Sequence, residues 1–389
     1  MFRVSRLAGL ALAVALGGCA IDDSGPVRSV WRPADGKSTW VNVVYVTDRE
    51  PDTSFPGGYA TRWAGKPSCG TAHTVIPPAI APGEKPQYGY VEKASPVACA
   101  NGKAALAGAV ALIEEQAKAK HCRSVFLFVH GFHTGFDGAV LRAAQVAGDA
   151  RTGCAIAAFS WSAEIDVDRY VSDLEHSDYS QPLLAEFLRE LAEADLRVTV
   201  LAHSLGSRLV LMTLSGLSQS REPPRAGFID ELVLTAADVG ADPKNNDFMQ
   251  LMRGTAPLAK RTTSYVSSLD SVLEISRREH GGVARLGNEP ALAFRSDDKD
   301  HVVDVIDATE APADRLDHSY YAMSSEAMAD IALVLNGVSV EDRLNGLKPT
   351  LACGKNCAPN YRLKVEEGRS PRFVTRFIMH VLPVIPLVR

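Results

Sequence analysis

The sequence has no apolar run long enough to cross a bilayer. Of its 389 residues 46% are hydrophobic and 22% charged, an ordinary balance for a globular chain. Residues 7–16 and 372–389 are the apolar stretches at its two ends. Both fall short of the roughly 20 residues that a spanning helix needs. A basic excess is also missing: the formal net charge is −5, so nothing suggests a nucleic-acid-binding surface. That balance neither identifies nor excludes an acidic small-molecule substrate. There is no internal repeat of solenoid length. No His or Cys pair has convincing structural-zinc spacing, and no metal site is expected.

What is present begins with a targeting pattern. Arg3 and Arg6 precede the apolar residues 7–16, and Leu16-Gly17-Gly18-Cys19 follows. Small residues before a cysteine at the end of such a run resemble a bacterial lipobox. The resemblance implies a signal peptide over 1–18 and acylation, palmitate included, at Cys19. An ordinary signal peptide with an incidental cysteine is the alternative. Residues 19–39, with Asp22, Asp23, Gly25, Pro26 and Pro33, read as a tether. The expected location is the cell envelope, with the chain lipid-anchored to a membrane and the outer membrane or periplasmic face favoured. Setting Cys19 aside leaves six cysteines. In an oxidising compartment they allow three disulfides. The preferred pairing is Cys69–Cys99, Cys122–Cys154 and Cys353–Cys357, although six cysteines permit about fifteen pairings.

Residues 40–46 read as a first strand. The many prolines and glycines of 50–102 predict an irregular section with short strands near 88–91. From residue 103 the pattern alternates. Helices are expected over 104–120, 137–150, 182–193, 205–217 and 324–335. Strands are expected over 124–129, 155–159, 197–202, 231–236, 262–267 and 302–306. Alternation of this kind implies an α/β fold with a mostly parallel sheet and helices on both faces. One domain over 40–345 is favoured. Residues 346–389 are read as an extension with a short disulfide loop and an apolar basic tail, either interfacial or packed on the domain.

The sharpest chemical feature is Ala202-His203-Ser204-Leu205-Gly206, between a predicted strand and a predicted helix. A nucleophile elbow needs that context and small residues flanking the serine. Ala202 stands where the first glycine is usual. His203 is expected to point away from the site, into packing. The plainer reading of Ser204 is a helix cap. A nucleophilic serine needs a base, and the base an orienting acid. Among downstream histidines, His301 opens a predicted strand, His280 lies at a helix exit and His380 in the apolar tail. His318 lies in a loop after the last predicted strand and suits the base. Asp270 and Asp238 both follow strands. Asp270 is preferred as the acid, leaving Asp238 structural at the rim or a substrate contact. His130-Gly131-Phe132 follows the strand 124–129. There Gly131 lets the chain turn, and the amides of Phe132 and Leu205 are the expected oxyanion donors. His130 either braces this turn or borders the substrate. Trp161 and Phe132 form an apolar wall for an acyl group or pack in the core. The acidic stretch 162–180 is a lid or a solvated surface.

The motifs FVHGFHTGFD from Phe128, FSWS from Phe159, AHSLGSR from Ala202, YVSSLD from Tyr265, HSYY from His318 and VTDR from Val46 together resemble a bacterial α/β-hydrolase family of unknown physiological function. The resemblance covers roughly residues 40–336. It implies an α/β-hydrolase fold with Ser204 as nucleophile, Asp270 as acid and His318 as base. His133 departs from the Asn expected there and could alter specificity at the substrate loop. The expected activity is that of a serine esterase or lipase. A small-molecule or lipid ester is opened through an acyl-enzyme, and the chemistry needs no cofactor. Acyl transfer, or a catalytically silent envelope protein that binds a partner, are the alternatives. The sequence leaves oligomeric state open.

Overall fold

A computed structural model describes residues 27–365, apart from 34, 82, 101–103, 153, 242–246, 290–302, 312–315 and 354–359. The expected signal segment, Cys19, His301, Cys357 and the tail 372–389 with His380 lie outside the described residues. The strands are β1 (Thr39–Pro51), β2 (Tyr59–Ile76), β3 (Tyr90–Val97), β4 (Ser124–Val129), β5 (Ala155–Ser160), β6 (Arg197–His203), β7 (Ile229–Thr235), β8 (Ala259–Val266), β9 (Val303–Asp307), β10 (Leu351–Ala352) and β11 (Asn360–Leu363). They form one sheet in the order β10-β11-β9-β8-β7-β6-β4-β5-β1-β2-β3. Seven neighbouring pairs, from β1/β5 through β9/β11, are parallel. The β1–β2–β3 meander and β10 are antiparallel additions at the two edges.

The helices are α1 (Ala107–Ala119), α2 (Phe136–Asp149), α3 (Tyr170–Glu193), α4 (Leu205–Ser218), α5 (Asp247–Thr255), α6 (Ser271–Glu279), α7 (Tyr320–Met323), α8 (Ser325–Leu335) and α9 (Val340–Asn345). Successive strand side chains point to opposite faces, so the central strands feed two cores. In β4, Val125, Leu127 and Val129 join α1, α3, α4 and α5 in one cluster. Phe126 and Phe128 join α2, α7 and α8 in the other. Burial on both sides is why these strands read as continuous apolar runs. No helix among the described residues is long and apolar enough to cross a membrane.

Four expectations about boundaries are corrected. The stretch 50–102 is more regular than its prolines suggest. β2 runs 18 residues and pairs with β1 from Thr39↔Ile76 to Thr47↔Ser68. Pro67 falls where that register shifts, before the next pair at Arg49↔Trp63, the kind of site where a strand tolerates proline. Second, α3 begins at Tyr170, twelve residues before the expected start, with Pro182 inside it. Third, the expected tether is packed at its first described residues, 27–30. Val27 is buried, its carbonyl accepts from the Gly89 amide at 2.7 Å, and Ser29 donates from its amide to Pro77 at 2.9 Å. Fourth, part of the expected extension belongs to the sheet: β11 (Asn360–Leu363) extends its parallel part beside β9.

Two cysteine pairs lie at bonding distance. Cys69 and Cys99 have Cα atoms 5.3 Å apart, and Cys122 and Cys154 6.0 Å apart, within the usual disulfide range.

Candidate active site

Ser204 follows β6, a central strand between β4 and β7. Its backbone has φ 51° and ψ −123°. Its amide donates to Thr235 at 2.9 Å, and its carbonyl accepts from Ser207 at 3.0 Å and Asp238 at 3.2 Å. The turn tolerates no side chain at two neighbours. A Cβ on Gly206 would sit 2.2 Å from the His130 carbonyl oxygen, and one on Gly131 would sit 2.8 Å from the Ser204 Cβ. The serine makes no side-chain cap on α4, so the plainer reading of this residue does not apply. Leu205 opens α4, where an amide has no carbonyl of its own helix to bond.

The acid and the histidine converge. His318 Nδ1 lies 2.8 Å from Asp270 Oδ2. Asp270 is the N-cap of α6: its Oδ1 accepts from the Leu273 amide at 2.9 Å. Both carboxylate oxygens are therefore fixed, and the residue is fully buried. The amide of Ser271 donates to Leu316 at 2.9 Å, tying the acid's helix to the histidine's loop. His203 is packed, but not away from the site as expected: its packing partner is the histidine loop. Its ring centroid is 4.6 Å from those of His318 and Tyr321, and its Nε2 is 3.4 Å from the His318 carbonyl. The residue beside the serine thus backs the imidazole, a contact with no counterpart in the sequence reading.

Asp238 is engaged elsewhere. It meets Arg285 Nε at 2.6 Å, the Tyr170 hydroxyl at 2.6 Å and the Ser276 hydroxyl at 2.7 Å. Burial alone would raise its pKa, but the Arg285 charge and these donors hold it below the ordinary carboxylate value. Its side chain is a buried crosslink between β7's exit, α3 and α6. Trp161 and His130 are fully buried. Their rings stack at 5.0 Å, and the indole Nε1 donates to the His130 carbonyl at 2.8 Å. His130 Nδ1 and Nε2 lie 2.8 and 3.2 Å from the carbonyls of Gly131 and Trp161. These two residues brace the loop from within and form no exposed wall. Phe132 is half-buried and meets Tyr170 edge-on at 5.5 Å. His133 turns at φ 57°. Ile165, Val171 and Tyr179, on the stretch 162–180 read as a lid or a solvated surface, are exposed. No group of three or more metal-ligating side chains occurs among the described residues.

Residues 107–336, more than half the chain, match the model of a family described as alpha/beta hydrolase of unknown function, DUF900. The chain belongs to this family. DUF900 membership and the sheet with its two helical layers make it an α/β-hydrolase. No curated protein matches it. Among solved structures it is similar to an esterase from the archaeon Pyrobaculum calidifontis (9% identity, 86% of this chain and 91% of that one covered, TM-score 0.34). Esterase B from Lactobacillus rhamnosis is another (11% identity, 85% and 94% covered, TM-score 0.38). A third is carboxyl esterase 2 from the fungus Tuber melanosporum (12% identity, 84% and 96% covered, TM-score 0.32).

Two features of this DUF900 protein lie outside the sequence reading: the His203–His318 packing and the Asp238–Arg285 pair. A third, Arg49, is in the motif Val46-Thr47-Asp48-Arg49, but the motif did not show that its guanidinium is buried beneath the His130–Thr134 loop.

Proposed function

We propose that this protein is a serine hydrolase that opens an ester, or a related acyl bond, through an acyl-enzyme. The observation that carries the reading is the Asp270–His318 pair, held by the α6 cap and packed against the residue beside Ser204. In this mechanism the neutral His318 takes the Ser204 hydroxyl proton as the oxygen attacks the acyl carbon. Asp270 keeps the imidazole in the tautomer that presents Nε2, and stabilises the imidazolium that forms. The carbonyl π electrons move to oxygen, which the amides of Phe132 and Leu205 receive. The imidazolium then protonates the departing alcohol. Water, deprotonated by the same histidine, releases the acid and restores the serine. Two such donors contribute about 10²–10³ in rate each.

A small-molecule or lipid ester is the proposed substrate. We also propose export, with acylation at Cys19. Two cysteine pairs at bonding distance support an oxidising compartment.

A fluorophosphonate probe and a p-nitrophenyl ester series graded by acyl length test the catalytic reading. Wild type should take the label and turn over at least one ester. Ser204→Ala should take none and lose roughly 10⁴–10⁶ in kcat, with an unchanged circular dichroism spectrum. Folded wild type that neither labels nor hydrolyses would sink the reading.

A further inference from the structure

The loop proposed to supply the Phe132 donor has an unfavourable backbone. His133 lies in the left-handed region, which a residue with a side chain keeps only where its surroundings enforce it. Two buried ionisable side chains meet the loop at that residue and the one after it. Arg49, at the end of β1 and fully buried, donates from Nη2 to the Thr134 carbonyl at 2.6 Å. Its Nη1 donates to the Ala163 carbonyl at 2.9 Å, and its Nε to the Ser160 hydroxyl at 3.0 Å. Asp173, in the first turn of α3 and fully buried, accepts the Glu164 amide at 2.9 Å, and the His133 backbone lies near enough to lower the pKa of the same carboxyl. One guanidinium therefore spans β1, the exit of β5 and the loop, and one carboxyl ties the loop to α3.

Stability alone is a poor reason for this arrangement. Burying ionisable groups costs more than filling the same space with apolar ones. What they add is direction. The planar fork of arginine fixes several acceptors at once, which a lysine cannot do.

We propose that Arg49 and Asp173 are positioning residues: they hold His133 in its left-handed turn and so keep the Phe132 amide aimed at the oxyanion. The inference rests on the catalytic reading above and deepens it. Neither side chain acts on the substrate itself.

The test uses Arg49→Lys and Asp173→Asn in the full chain, each checked for a cooperative thermal transition. For each, kcat and KM are measured on one p-nitrophenyl ester, together with the Ki of an aryl trifluoromethyl ketone. That ketone forms an oxyanion-bearing adduct with the serine. In Arg49→Lys, kcat should fall about 10–100-fold, as for partial loss of one oxyanion donor. The ketone Ki should rise by a similar factor and KM should move little. His133→Gly provides a second arm, because glycine takes the left-handed turn without strain. Added to Asp173→Asn, it should recover most of the lost kcat. Active wild type with an indifferent folded Arg49→Lys, or a glycine double variant that recovers nothing, overturns this inference alone. Wild type that neither hydrolyses esters nor takes the fluorophosphonate label fails one step earlier, at the catalytic reading.

Discussion

Ser204 keeps a backbone conformation that few residues adopt, and the crowding around it explains how. Gly206 passes so close to the His130 and Val129 carbonyls that even a methyl group collides with backbone. Gly206→Ala should cost more than about 2 kcal/mol by forcing the elbow open. A fall in the urea midpoint at unchanged slope is the expected signature. The two aspartates separate in the same way. Asp270→Asn keeps an oxygen for the α6 cap but presents the wrong partner to His318, so kcat should drop about 10⁴-fold with the fold intact. Asp238→Asn instead strips the buried Arg285 of its carboxylate and should cost about 3–5 kcal/mol in stability. If the Asp238 variant proves the more damaging to kcat while unfolding normally, the assignment of acid and crosslink is reversed. At this scale the sequence was informative where chemistry is local. The strand-turn-helix context singles out Ser204, and the loop positions single out Asp270 and His318. It marked Arg49 within a motif but gave it no role, because its charge is buried by distant contacts. Arg49 meets Thr134 and Ala163 across 85 and 114 residues, and no spacing encodes that.

The helix α3 shows how an element can hide its own start. Pro182 is a usual place for a helix to begin, since its missing N–H is harmless in the first turn. Here the preceding turns are held by tertiary bonds instead. Arg208 reaches Asp178 at 2.7 Å, and Tyr170 reaches Asp238. Asp173 sits in the first of these turns. Burial pushes its carboxyl up to about 7, against the Glu164 amide and the Arg49 charge. The folded chain therefore favours the neutral acid. Its contribution to stability is full below the ordinary value of 3.8 and is lost as pH rises to about 7. Asp173→Asn escapes that loss. Its Tm relative to wild type should be higher at pH 8 than at pH 5, by on the order of 2–4 °C. A difference that stays flat across this range would refute the account. The β1–β2 hairpin went unread for a related reason. Its prolines and glycines signal loop, but the irregular register between Thr47 and Pro51 absorbs the breaks.

Across the whole molecule, the alternation of apolar strands and amphipathic helices was legible because it follows from a sheet buried on both faces. The edges were less so, because edge strands carry weaker patterns and owe their order to what they pair with. The cysteine pairs staple one of those edges and the start of β4 to their surroundings. Each closes a loop of about 30 residues, which in the chain-entropy view contributes about 3–4 kcal/mol. Oxidised protein should accordingly lose several degrees of Tm on treatment with dithiothreitol. An unchanged transition would mean that the thiols are unlinked. The docked N-terminal segment bears on where the folded unit begins. Asp149, on α2, is buried and receives the Ser29 hydroxyl and the Val30 amide. Recombinant fragments cut at Thr39, where the first strand starts, would strip both donors and uncover the seat of Val27. The minimal soluble enzyme should therefore begin no later than Val27, and a protease that nicks between 31 and 39 should loosen α2 from afar.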